Sequence, residues 1–94
     1  MALSLVASAQ AKRWPDPPRW WLYGSQMTCV RYRESSNGAG SRNIYQMTNP
    51  GGWSEAGGSG WAGNASRAEQ DYRAWRLWNM AGCHQPWGAY DGCC

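Results

Sequence analysis

The chain reads as one small, mainly helical α+β domain: two helices, a glycine-rich loop with room for a short strand or sheet, and disulfides. Three observations predict it. Ser66 with Glu69 three residues on forms a capping box ahead of an apolar-periodic run. Residues 25–35 carry Met27 and Val30 at helical spacing. Four cysteines in 94 residues supply the cross-links that a chain of this size needs, since it buries only about 60–65% of its unfolded surface.

In chain order, residues 1–11 (MALSLVASAQA) resemble the tail of a truncated secretion signal, with Ala9-Gln10-Ala11 as an A-x-A cleavage pattern. Residues 12–19 hold Pro15, Pro17 and Pro18 and form an extended strap, flanked by Trp14, Trp20 and Trp21. The domain proper spans 20–94. Ser25 is placed to cap the first helix, and Asn37-Gly38 break it. Residues 38–63 are irregular, with a strand or helical turn at 43–48 and a turn at Asn49-Pro50-Gly51-Gly52. The second helix covers 66–81 and stops at Gly82. Its apolar face is Ala68, Tyr72, Trp75, Leu77 and Trp78, which leaves Arg67, Asp71, Arg73 and Arg76 on the other side. The tail 83–94 is turn-rich.

Composition narrows the function. The chain is too short for a dinucleotide-binding, barrel or kinase domain, and no run of about 18 apolar residues exists to span a membrane. A net charge of +3 suits an anionic surface but is too weak for nucleic acid. The four cysteines, Cys29, Cys83, Cys93 and Cys94, read as two disulfides, with Cys29 tied to the C-terminus and Cys83 to the remaining cysteine there. They imply an oxidising compartment. A zinc site of Cys83, His84, Cys93 and Cys94 is the weaker reading, because no C-x-x-C pair is present and His84 is the sole histidine. No metal, no cofactor and a monomer are expected.

Six acidic residues allow elimination of candidates for acid–base chemistry. Asp16 lies in the strap, Glu69 in the capping box, Asp71 among arginines, Asp91 in the tail and Glu55 in the Gly/Trp loop. Glu34 alone ends a helix and opens onto a glycine-rich loop. The helix C-terminus carries about half a negative charge, which favours a protonated carboxyl there. Aromatic desolvation adds to this, giving a general acid for a glycosidic oxygen. Arg31 and Arg33 compete by favouring the ionised form. Tyr45, Trp53 and Trp61 are candidates to stack on sugar faces, or else to fill a core that has no Phe.

Four segments resemble the resuscitation-promoting-factor and transglycosylase-like domains of secreted actinobacterial and phage cell-wall lytic proteins. CVRYRESSN at 29–37 is similar to the family's C…ESGGN, and IYQM at 44–47 followed by Gly52-Trp53 to YQF…GTW. ASRAEQ at 65–70 resembles AS-x-x-EQ, and WGAY at 87–90 before Cys93 resembles WGxW…C. They occur in family order across about residues 19–94. The chain departs from the family in a shorter stretch between Glu34 and Gln46, in Gly52 where the family has threonine, and in Cys83 where an aromatic is usual.

The resemblance implies a trimmed lysozyme-like fold. It implies cleavage of peptidoglycan between N-acetylmuramic acid and N-acetylglucosamine, with Glu34 as the single catalytic acid, Gln46 in the cleft, Trp53 beside it and a Cys29–Cys93 disulfide. The expected partner is a glycan strand and the expected location the cell wall. Two-carboxylate cleavage needs a second acid about 5–9.5 Å away, for which only Glu55 is available. A single-acid, anhydro-forming route fits the carboxylate count better. A non-catalytic carbohydrate- or wall-binding module, or a disulfide-stabilised structural protein of phage or secreted origin, is the alternative.

Overall fold

The structure is a computed structural model, described here for residues 14–88 and 92–94. The expected signal segment, Lys12 and Arg13 of the strap, and Tyr90 and Asp91 lie outside the described residues. Four α-helices follow in order: α1 (Arg19–Leu22), α2 (Ser25–Ser35), α3 (Gly52–Glu55) and α4 (Arg67–Ala81). A 3-10 turn at Ala62–Asn64 precedes α4 and a π-turn at His84–Gly88 follows it. Among the described residues there is no strand, so the class is mostly helical and the short sheet expected near 43–48 is corrected to a loop.

That loop stays unpaired because its polar groups are satisfied locally. The Asn43 amide donates to the Met47 carbonyl (2.8 Å) and accepts from the Met47 N–H (3.0 Å), closing residues 43–47 on themselves. The Ile44 N–H, which a sheet would pair with a neighbouring strand, donates instead to the Gln70 side chain of α4 (2.8 Å). Gln70 is fully committed, since its amide nitrogen donates to the carbonyls of Arg42 and Ala65.

Helix α2 has the bounds the sequence predicts, but its N-cap is Gly24 and no side chain caps it. At the other end Ser36 (φ 53°) and Asn37 (φ 56°) are both left-handed, and the N–H groups of both close on the Arg31 carbonyl. Helix α4 begins as expected, with Ser66 accepting from the Glu69 N–H (3.1 Å), and ends at Gly82 (φ 73°).

Its buried face differs from the expected one. Gln70, Asp71, Ala74 and Leu77 point inward and Ala68 is exposed. Trp75 and Trp78 stack on each other (centroids 5.6 Å apart) and pack at the edge of the core. The core itself is Trp21, Met27, Val30, Ile44, Tyr45, Met47, Trp53, Ala56, Ala62, Ala74, Leu77, Cys83 and Trp87. Burying three tryptophans and a tyrosine, each worth 150–250 Å² of surface, compensates for the lack of Phe.

Two disulfides close the fold, Cys29–Cys93 and Cys83–Cys94, each with Cα atoms 5.7 Å apart. The first ties the middle of α2 to the C-terminus. The second ties Cys83, immediately before the π-turn, to Cys94. All four thiols are consumed, which removes the zinc reading. Disulfides of this kind belong to chains that mature in an oxidising, extracellular setting. No described helix is long and apolar enough to cross a membrane.

Trp14 packs on Tyr72 (5.5 Å), and the Arg73 guanidinium lies 4.8 Å from the Trp14 ring and 5.6 Å from that of Trp53. Arg73 is held there by Glu69 (2.8 Å) and by the Ala56 carbonyl (2.8 Å).

Candidate functional site

Glu34 occupies the last turn of α2, half-buried. Of the two arginines expected to compete for it, Arg31 is committed elsewhere. It is buried on the inner face of α2, where it donates to the Tyr45 hydroxyl (3.1 Å), the Leu22 carbonyl (2.5 Å) and the Thr28 hydroxyl (3.3 Å). Arg33 is exposed.

The next residue, Ser35, locks the end of α2 to the loop. Its hydroxyl donates to the Ile44 carbonyl (2.7 Å) and accepts from the Gly38 N–H (2.9 Å). The two left-handed residues after it turn the chain back into the wall of a cleft of about 350 Å³, formed by Asn37, Gly38, Arg42, Ile44, Arg67 and Gln70 with the small residues Gly63 and Ala65. Arg67 bridges the cleft, donating to the Asn37 side chain (2.9 Å) and lying 3.7 Å from Asp71.

Two of the three rings expected to stack on sugars are corrected. Tyr45 and Trp53 are 0% and 1% exposed, so neither has a face to offer. Tyr45 is the centre of a buried polar network: it accepts from Arg31 and donates to Asp71 (2.6 Å), while its carbonyl accepts from the Trp87 indole (3.0 Å). Burial, reinforced by Asp71, pushes the Tyr45 hydroxyl far above its usual range, so it remains a donor. Burial also raises the Asp71 carboxyl above its ordinary value, against the opposing pull of Tyr45, Arg67 and Arg31. Asp71 is therefore not outward-facing, as helical periodicity implied.

Trp53 donates its indole N–H to the Ser59 carbonyl (3.0 Å) and roofs Gly58, where a side chain would run into the ring. Trp61 is the one of the three that reaches the surface, at 46% exposure. Its edge lies against Gly63, and the Arg42 guanidinium covers one face at 5.0 Å. Arg42 and Gly63 are both part of the cleft wall, so Trp61 stands at its lip.

Gln46 is turned to a different place. With Tyr45 and Met47 buried on either side, it is exposed in a left-handed conformation (φ 50°), its amide donating to the Asn43 carbonyl (2.9 Å). It faces a second cavity, of about 300 Å³, bounded also by Thr48, Glu55, Leu77, Gln85 and Trp87. Loop 42–47 is thus a partition with Ile44 on one side and Gln46 on the other. The structure brings Gln46 and Glu55 into one cavity wall, and Arg42, Asn37 and Arg67 into the other; neither wall includes Glu34 itself.

The residues missed from sequence are Arg31, Asn43, Gln70 and Asp71. Each is polar and buried, and periodicity assigns such residues to solvent. Compared with known proteins, the chain matches no family model, no curated protein and no solved structure.

Proposed function

We propose that the protein cleaves the glycan strand of peptidoglycan at the bond between N-acetylmuramic acid and N-acetylglucosamine, with Glu34 as its single catalytic acid. The carrying observation is the placement of Glu34. It sits half-buried in the final turn of a helix whose next residues bend into the wall of a 350 Å³ cleft. A carboxyl at a helix C-terminus meets about half a negative charge, which favours the protonated form that a leaving oxygen requires.

In this mechanism Glu34 gives its proton to the glycosidic oxygen as the C–O bond breaks. The resulting carboxylate then takes a proton from a hydroxyl of the same sugar as that oxygen closes on the anomeric carbon, leaving an anhydro end. Arg42 and Arg67 supply positive charge along the cleft for an anionic wall, and Trp61 at the lip offers the exposed ring. Burial of Tyr45 and Trp53 leaves a module that bound sugar by stacking alone with a single one of its three proposed rings, which favours cleavage over mere binding.

The test is clearing of a peptidoglycan suspension by purified protein. Glu34→Gln should abolish clearing and leave thermal unfolding unchanged. Equal clearing by both proteins would remove Glu34 from the chemistry, and co-sedimentation of both with walls without clearing would favour a binding module.

A further inference from the structure

The second cavity lies on the other side of loop 42–47 from the cleft, and no step above uses it. Its floor is apolar: Leu77 and Ala81, one turn apart on α4, with Pro86 and the buried ring of Trp87. Its rim is polar, with the exposed side chains of Gln46, Thr48, Glu55 and Gln85. In a chain of net charge +3, the described residues of this wall include a carboxylate and no arginine or lysine.

The rim is held in place. Gly52, at the start of α3, sits so close to Leu77 that a Cβ there would come within 2.7 Å of its Cδ2, so Glu55 is carried on a helix seated directly on α4. Gln46 is fixed by its left-handed backbone between two buried neighbours, and an uncommon conformation kept by its surroundings is a mark of a binding position. Trp87 is anchored through its indole N–H to the Tyr45 carbonyl. A cavity of about 300 Å³ with an apolar floor and a few polar groups at its rim has the make-up of a small-ligand site.

We infer that this cavity binds an amine-bearing amino-acid side chain within a peptide: its methylenes on the half-buried Ala81 and Pro86, its ammonium at Glu55, and its flanking amides at Gln46 and Gln85. A wall whose described residues include one acid and no base selects a cation, and an apolar floor selects one on a hydrocarbon stem. Naming that peptide as the diamino-acid stem of peptidoglycan rests on the proposed function; the preference for a cation does not.

The probes are Nα-acetyl-lysine amide and Nα-acetyl-norleucine amide, which share the stem and differ in the ammonium. Amide chemical shifts of the full chain are followed during titration with each. The lysine compound should bind about two- to fivefold more tightly, the scale of one solvent-exposed ion pair. Shifts should centre on residues 46–48, 55 and 85–87. Glu55→Gln should erase that preference while leaving norleucine affinity unchanged, and Glu34→Gln should leave both affinities unchanged. Equal binding of the two probes by the parent, no binding, shifts centred elsewhere, or a preference that survives Glu55→Gln would each overturn the inference. Clearing activity that fails while this preference holds would sink the proposed function alone.

Discussion

Replacing Tyr45 by phenylalanine deletes one oxygen at the point where three elements meet. In the native chain that oxygen accepts from Arg31 of α2 (3.1 Å) and donates to Asp71 of α4 (2.6 Å), with the ring itself fully buried. Both partners are ionisable, and a hydrogen bond to a charged group is worth about 1.5–3 kcal/mol, so removing both ends costs about 3 kcal/mol. In a domain of this size that lowers the melting temperature by about 15 °C. Urea unfolding of parent and variant measures the loss directly, and the slope of the transition should not change. A cycle with Asp71→Asn should give a coupling above about 1 kcal/mol. A loss below about 0.5 kcal/mol, or additive effects in the cycle, would refute the claim that this network holds α2, the loop and α4 together.

Asp71 adds a pH dependence with a definite sign. Burial raises its carboxyl above 3.8, so the folded chain holds this proton more tightly than the unfolded chain does. The contribution is complete below pH 3.8 and is lost as pH rises through the folded-state value; the stability difference between parent and Asp71→Asn should therefore shift against the parent across that window, and a flat difference would contradict it. Removing the Cys29–Cys93 bond by paired serine substitution should cost about 4 kcal/mol, and removing Cys83–Cys94 about 3 kcal/mol, because the loops span 64 and 11 residues. Calorimetry that ranks them in the reverse order would count against loop entropy as the source. Gly51→Ala should destabilise by about 1–3 kcal/mol, since Gly51 has φ 144° and a Cβ there would collide with the Thr48 hydroxyl; a neutral effect in urea unfolding would show that the turn relaxes.

Much of the fold was legible where local rules act alone. The Ser66 cap, the Gly82 stop and the break after Ser35 are local hydrogen-bond chemistry, and the structure has all three. The even cysteine count likewise matches two disulfides. What sequence did not reveal depends on partners distant in the chain. Gln70 and Asp71 point inward because the loop 26 residues earlier brings Ile44 and Tyr45 to meet them, and nothing in the helix's own periodicity encodes that. The same contacts explain the missing strand, since Gln70 takes the N–H that a sheet would have used. Trp53 reads as a sugar platform because it stands among small residues. In the fold a small residue is what lets that ring sink into the core, since Gly58 lies beneath Trp53, while Tyr45 is drawn in by its bonds to Arg31 and Asp71. Of the candidate site, the position of Glu34 on its helix was legible, but the separation of Gln46 from the cleft beside it was not, because the left-handed turn at Gln46 has no signature in residue type.

The most direct measurement is mass spectrometry of the soluble fragments released from purified peptidoglycan. Parent protein should produce disaccharide-peptides ending in anhydro-muramic acid, and Glu34→Gln, equally folded, should produce none. Fragments of the same mass and yield from both proteins, or intact strands with either, would contradict catalysis by this carboxyl.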